Sequence, residues 1–248
     1  PDIIGEIREN TKGTKMIIIA ERNSQDIDVE FLDGHHYIKE HTTYVNFKRG
    51  EIKNPFDATV NNFGYTGVGK HLASENGNKL TPLYLKWKNI INRCTDDLEM
   101  HANYKDCIVC EEWKNFQNFA EWYENHYYDI GQERLHVDKD IKYPGNKIYS
   151  PYHCILVPHS INEIFKESFG RSKKVDADLP YTIKRCATGY SVSYRSKSLG
   201  VYKTVDEAIN IYLKAKQNWV IEVIDKYVNI PDDIKNIVIE SAGKHTIK

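Results

Sequence analysis

Asp138, Lys139 and Asp140 close the run Leu135-His136-Val137, so an alternating segment ends in two carboxylates with an imidazole just upstream. A carboxylate at a strand end can hold a divalent cation against a DNA phosphate, but one carboxylate is not a site. The chain continues through a polar loop, KYPGNKIYSP, a second apolar run, CILVP, and a helical HSINEIFKE, an order that folds Asn162 back over the end of the first strand. Asp138 and Asn162 would suffice for Mg²⁺ or Mn²⁺, because such ions keep several waters and take further ligands from phosphate oxygens. Proton transfer needs another group. Lys139 stands beside the carboxylate, yet an unperturbed lysine titrates at about 10.4 and becomes a base near neutrality only when desolvated or beside another cation. His136 and His153 lie a few residues from the site and titrate near the working pH.

A second constellation is sulfur-based. Cys107 and Cys110 have the spacing of one zinc knuckle, and a four-thiolate Zn²⁺ site would recruit Cys94 and Cys154. Cys154 opens an apolar run, where a thiol serves equally well as a small core residue. With Cys186 the cysteines number five, an odd count that fits reduced thiols better than a disulfide framework. The fragment GYTGVGK lacks the GxxxxGK[ST] spacing of a phosphate loop.

The phrases LHVDKDI, GNKIYSP and CILVPHSIN, spanning Arg134 to Phe165, resemble the ββα-metal (HNH) finger of the phage endonuclease VII type. That resemblance implies a metal held by Asp138 and Asn162, with Lys139 in the position where the family has its water-activating His, and Asn146 as the Asn that orders the connecting loop. It implies metal-dependent hydrolysis of duplex DNA, one strand per finger, so a double-strand break would take a homodimer or two successive nicks. In this superfamily half of a structural zinc site often precedes the finger, where Cys107 and Cys110 stand. The stretch YTIKRCATGYSVSYRSKSLGVYKTVDEAINIYLKAK resembles the ethylene-response-factor type of DNA-binding domain. There a three-stranded sheet enters the major groove, which makes Lys184, Arg185, Tyr194, Arg195 and Lys197 the DNA-contacting residues by strand position, Arg being the better reader of guanine. DIDVEFLDGHH and YKDCIVCEEWKNFQNFAEWY are similar to phage and prophage proteins of Gram-positive bacteria. The expectation is a DNA-binding endonuclease; the alternatives are a catalytically degenerate, DNA-binding regulatory protein, and an interaction protein without DNA affinity.

The elements that must position these residues follow from periodicity. Met16 to Ala20 is continuously apolar, Ile27, Val29 and Phe31 alternate with Asp28 and Glu30, and Asp33-Gly34 marks a turn. With a strand-like Thr42 to Phe47, residues 1–57 are expected to form a small β-barrel-like domain. Residues 58–81, holding Gly64, Gly67, Gly69 and Gly77, have a linker composition. Residues 82–170 are expected to be the nuclease domain: a helix with Leu83, Trp87, Ile90 and Ile91 on one face, a second with Trp113, Phe116, Phe119, Ala120 and Tyr123, then the finger, whose helix would start at a Ser160/Glu163 capping box. Residues 171–248 read as three antiparallel strands with turns at Thr188-Gly189 and Gly200, a helix capped by Thr204 and Glu207, and a further helix after the IPDD break. The fold class is α+β: a small N-terminal β domain, a central ββα finger with flanking helices, and a C-terminal three-stranded antiparallel sheet packed on a helix.

Global composition does not advertise a nucleic-acid partner, since the net charge is −1. The charge is unevenly spread: residues 171–248 carry 14 Lys+Arg against 9 Asp+Glu, leaving 20 against 26 elsewhere, so any DNA attraction must come from local patches. No apolar run reaches membrane-spanning length and the first residues lack a signal-peptide layout, so an intracellular, cytoplasmic protein, phage or prophage encoded and without a membrane partner, is expected.

Overall fold

The computed structural model describes residues 3–77, 79–96, 104, 106–131, 133–166, 179–180 and 182–244. They form an α+β structure in two compact units, residues 1–121 and 122–248, with the boundary inside a helix rather than at the expected linker. The expected boundary after residue 170 lies outside the described residues.

In the first unit, strands β1 (Ile7–Glu9), β2 (Lys15–Asn23), β3 (Asp26–Phe31) and β4 (Ile38–Thr42) make an antiparallel sheet in sequential order. Alternation along β2 and β3 sends Met16, Ile18, Ile27, Val29 and Phe31 to one face, where Phe47 and Ile52 complete the core. The sheet is an open meander, not a barrel. The strand expected over Thr42 to Phe47 stops at Thr42, and helix α1 (Tyr44–Arg49) takes its place. Thr43 accepts from the Asn46 N–H at the start of α1, and Gly50, at φ 69°, ends it in the left-handed conformation favoured by glycine. Local capping has overridden a strand-like apolar pattern.

The segment with linker composition is packed. Strands β5 (Ser74–Glu75) and β6 (Lys79–Leu80) form a small hairpin, and a Cβ at Gly64 would lie 2.4 Å from Ile91 Cδ1 and 2.9 Å from Trp87. Gly64 therefore permits close approach rather than looseness. Helix α2 (Pro82–Thr95) starts at Thr81 with Pro82 in its first turn and buries Tyr84, Trp87, Ile90 and Ile91; Leu83 is only half-buried. Trp87 Nε1 donates to the Trp113 carbonyl at 2.7 Å, so the deepest indole is also hydrogen-bonded. After β7 (Ile108–Val109) and a 3₁₀ turn, helix α3 (Phe116–His126) buries Phe116, Phe119 and Ala120.

In the second unit, β8 (Leu135–Asp138) and β10 (Ile155–Pro158) pair antiparallel, with the two-residue strand β9 (Ile148–Tyr149) in the loop between them, and α4 (His159–Phe165) follows directly. This is the expected strand-loop-strand-helix order. The α4 start differs from expectation: its N-cap is Pro158, without a side-chain cap, and the Ser160 N–H donates to Glu133 at 2.5 Å. Glu133 and Ser160 both hydrogen-bond Tyr227, bracing α4 against the chain beyond α5. Strands β11 (Ile183–Cys186), β12 (Gly189–Tyr194) and β13 (Lys197–Tyr202) form an antiparallel sheet covered by helix α5 (Val205–Ile224), with Ile183, Val192, Tyr194, Ala208 and Tyr212 in its core. The Thr204/Glu207 capping box is present, and α6 (Asp232–Ala242) begins after Pro231 as the IPDD break predicts. Among the described residues no helix is long and apolar enough to cross a membrane.

Candidate active site in the strand-loop-strand-helix finger

Pairing register builds the site. Asp138 lies opposite Ile155 and His136 opposite Val157, so the two polar side chains, two residues apart on β8, share one face of the hairpin. Helix α4 covers that face, because Asn162, buried at 6% exposure, places Nδ2 3.2 Å from His136 Nδ1. The contact requires Nδ1 to be the bare, accepting nitrogen, which puts the ring proton on Nε2. It also leaves Asn162 Oδ1 without a hydrogen bond from the described residues. The His159 ring lies 4.7 Å from that of His136, and His159 Nδ1 is 3.5 Å from a Glu163 carboxylate oxygen.

Asp138 is half-buried. Its Oδ1 accepts the N–H groups of Asp140 at 2.9 Å and Ile141 at 2.7 Å, and no hydrogen bond from the described residues reaches Oδ2. Burial, and secondarily the nearby Asp140 carboxylate, push its pKa up to about 6; the two backbone N–H groups and Lys139 pull the other way without prevailing. The residue next to it is buried and ion-paired. Lys139 leaves the strand on the other side, is 6% exposed, places Nζ 3.0 Å from Asp140 Oδ2 and 5.8 Å from the centre of the Tyr149 ring. His153 is also engaged elsewhere, with Nδ1 2.7 Å from Ser150 Oγ.

Asn146 is bonded on both sides of its amide. Its Nδ2 donates to the carbonyls of Lys139 at 2.7 Å and Ile148 at 2.8 Å, and its Oδ1 accepts from the Ile148 N–H at 3.2 Å, so one side chain ties the start of the loop to its middle. One member of the cluster escapes a linear reading, His159. The hairpin register would have found His159, which follows the partner of His136 by two residues.

The oxygens of Asp138 and Asn162 are hard donors that suit Mg²⁺ or Mn²⁺ and not a thiolate-seeking ion. Among the described residues, the single group of three His, Cys, Asp or Glu ligand atoms within 4.8 Å of one another is Asp26, Asp28 and His41. Cys107 and Cys154 are buried, Cys94 and Cys110 half-buried, and burial pushes the Cys110 thiol up. The Asp26/Asp28/His41 group already holds a cation, since Arg22 bonds Asp26 at 2.8 Å and also pairs with Asp28.

The five residues expected to contact DNA do not share one face. Tyr194 is 5% exposed and packs its ring against Tyr212 in the core. Arg195 sits in the β12–β13 turn at φ 49°, with its guanidinium 3.4 Å from the centre of the Trp219 ring on α5. Lys197 pairs with Tyr194, and Arg185 pairs with Tyr190 and has its guanidinium 5.9 Å from that ring's centre, so both lie on the helix side of the sheet, at its exposed margins. Lys184 alone points outward, in a row with Ser191 and Val201. Comparison with protein-family profiles, with curated proteins and with solved structures returns no match.

Proposed function

We propose that the chain is a metal-dependent endonuclease that hydrolyses DNA phosphodiester bonds at the finger formed by β8, β10 and α4. The observation that carries this reading is the His136–Asn162 contact on the same hairpin face as a carboxylate with an unengaged oxygen. Asp138 Oδ2 and Asn162 Oδ1 would hold Mg²⁺ or Mn²⁺. When bound, such an ion supplies a water of lowered pKa and positive charge for the leaving oxyanion. The chain's own groups do the rest. Asn162 fixes the tautomer of His136, whose Nε2–H then meets a phosphate oxygen as a hydrogen-bond donor. Asn146 holds the loop that carries Asp140 and Lys139, and Lys139 offsets the Asp140 charge next to the site. In this reading Lys139 is a positioning residue, and the proton of the attacking water passes to solvent.

Incubation of the protein with supercoiled plasmid tests the assignment. Nicking that needs Mg²⁺ or Mn²⁺, is lost in His136→Ala and persists at a reduced rate in Lys139→Met supports it; equal loss in both variants returns the base role to Lys139. The alternative, a DNA-binding protein that no longer cuts, is favoured by one observation: the position where this type of finger has its histidine holds a buried, ion-paired lysine. It predicts gel retardation of DNA without nicking at any metal concentration.

A further inference from the structure

The loop between β8 and β10 carries an aromatic cluster that the cutting chemistry does not use. Tyr143 and Tyr152 stack with ring centres 5.3 Å apart and planes at 22°. Lys142 Nζ stands 5.2 Å from the centre of the Tyr143 ring and 4.8 Å from that of Tyr152, and donates to the Tyr152 carbonyl at 2.8 Å. The His153 ring meets both tyrosines edge-on, at 5.5 Å and 5.1 Å, and is itself fixed by Ser150. The loop is therefore held in place, with Asn146 pinning its middle.

Despite these contacts Tyr152 remains 65% exposed. Core packing does not explain a large ring that is fixed and yet left in water, and the cation above it selects for an anionic partner. Lys147, exposed in the same loop, adds a second positive charge. A flat π-system carrying negative charge describes a nucleotide, and only an unpaired one has a face available for stacking, since duplex bases are stacked on one another.

We propose that the Tyr152 platform binds an unpaired base of single-stranded DNA, with Lys142 and Lys147 taking the adjoining phosphates, so that the finger prefers DNA with single-stranded or gapped character over perfect duplex. This deepens the endonuclease reading by naming its substrate class, and rests on it in taking DNA as the polymer.

Fluorescence anisotropy tests it with the full chain in EDTA, where cutting is off, using labelled oligothymidine, a gapped duplex and a perfect duplex. Wild type is expected to bind the first two more tightly than the perfect duplex. Tyr152→Ala should weaken them by about tenfold or more, the usual effect of removing a base-stacking ring, and leave the perfect duplex unchanged, which also shows that the variant is folded. Tyr152→Phe should bind as wild type does. Equal affinity of Tyr152→Ala and wild type for oligothymidine, or a loss of the same size on all three DNAs, overturns the platform. The two readings fail separately: Tyr152-dependent binding without metal-dependent nicking sinks the endonuclease alone, and nicking with Tyr152-independent binding sinks the platform alone.

Discussion

Two clusters of the same residue types occupy the two units and carry opposite electrostatics. Asp26, Asp28 and His41 gather three ligand atoms within 4.8 Å, while Asp138 and His136 belong to no such group of His, Cys, Asp or Glu among the described residues. By ligand count the first is the better metal site. By charge it is not: Arg22, followed by His41, pulls the Asp26 carboxyl down to about 2, so its negative charge is already matched. Asp138 is pushed up to about 6 because burial outweighs what its neighbours return. A cation entering the first cluster displaces an arginine, and one entering the second relieves a buried carboxylate. The difference teaches that an unmet electrostatic need marks a candidate site better than the proximity of ligands does.

The largest expected effect is on metal binding. In a Mn²⁺ titration followed by electron paramagnetic resonance, Asp138→Asn should lower affinity on the order of 100-fold, as loss of a metal's protein partners commonly does, whereas Asp26→Asn should leave it unchanged. Equal losses would erase the contrast between the clusters. Next in size is the loop that aims the finger. Asn146→Ala leaves the Lys139 and Ile148 carbonyls without their donor and should cost about 1–3 kcal/mol in urea unfolding.

The pH dependence should differ in sign between the clusters. The folded pKa of Asp138, about 6, lies above the unfolded value, so the folded state binds this proton more tightly. Its contribution then falls as pH rises from the usual carboxylate range to about 6, and Asp138→Asn should flatten the unfolding profile across that window. Cation binding should weaken below pH about 6, where the proton competes. Asp26 behaves inversely, contributing stability above its unfolded pKa that is lost as pH falls toward about 2. The smallest effect is expected for Arg22→Met, an exposed ion-pair change that should barely move Tm.

Much of the scaffold was legible because it rests on local rules. Alternation in β3, the Thr204/Glu207 capping box and the Pro231 break act within a few residues and appear as read. Where the candidate residues' side chains lie was less legible. Adjacency in sequence does not show where the Lys139 ammonium goes: it lies beside the Asp140 carboxylate and the Tyr149 ring. The burial of Tyr194 was not legible because nothing in YSVSYRSK reveals that α5 places Tyr212 against it. Composition misread residues 58–81 for the same reason: Gly64 is small to admit Trp87 and Ile91, a tertiary demand.

The most direct test of the central claim is plasmid nicking by Asp138→Ala beside Asp26→Ala, with Mg²⁺ and both variants shown to be folded. The account predicts that Asp138→Ala abolishes metal-dependent nicking while Asp26→Ala cuts as wild type does. Nicking retained in Asp138→Ala and lost in Asp26→Ala would contradict it, and would move the catalytic metal to the cluster that Arg22 occupies.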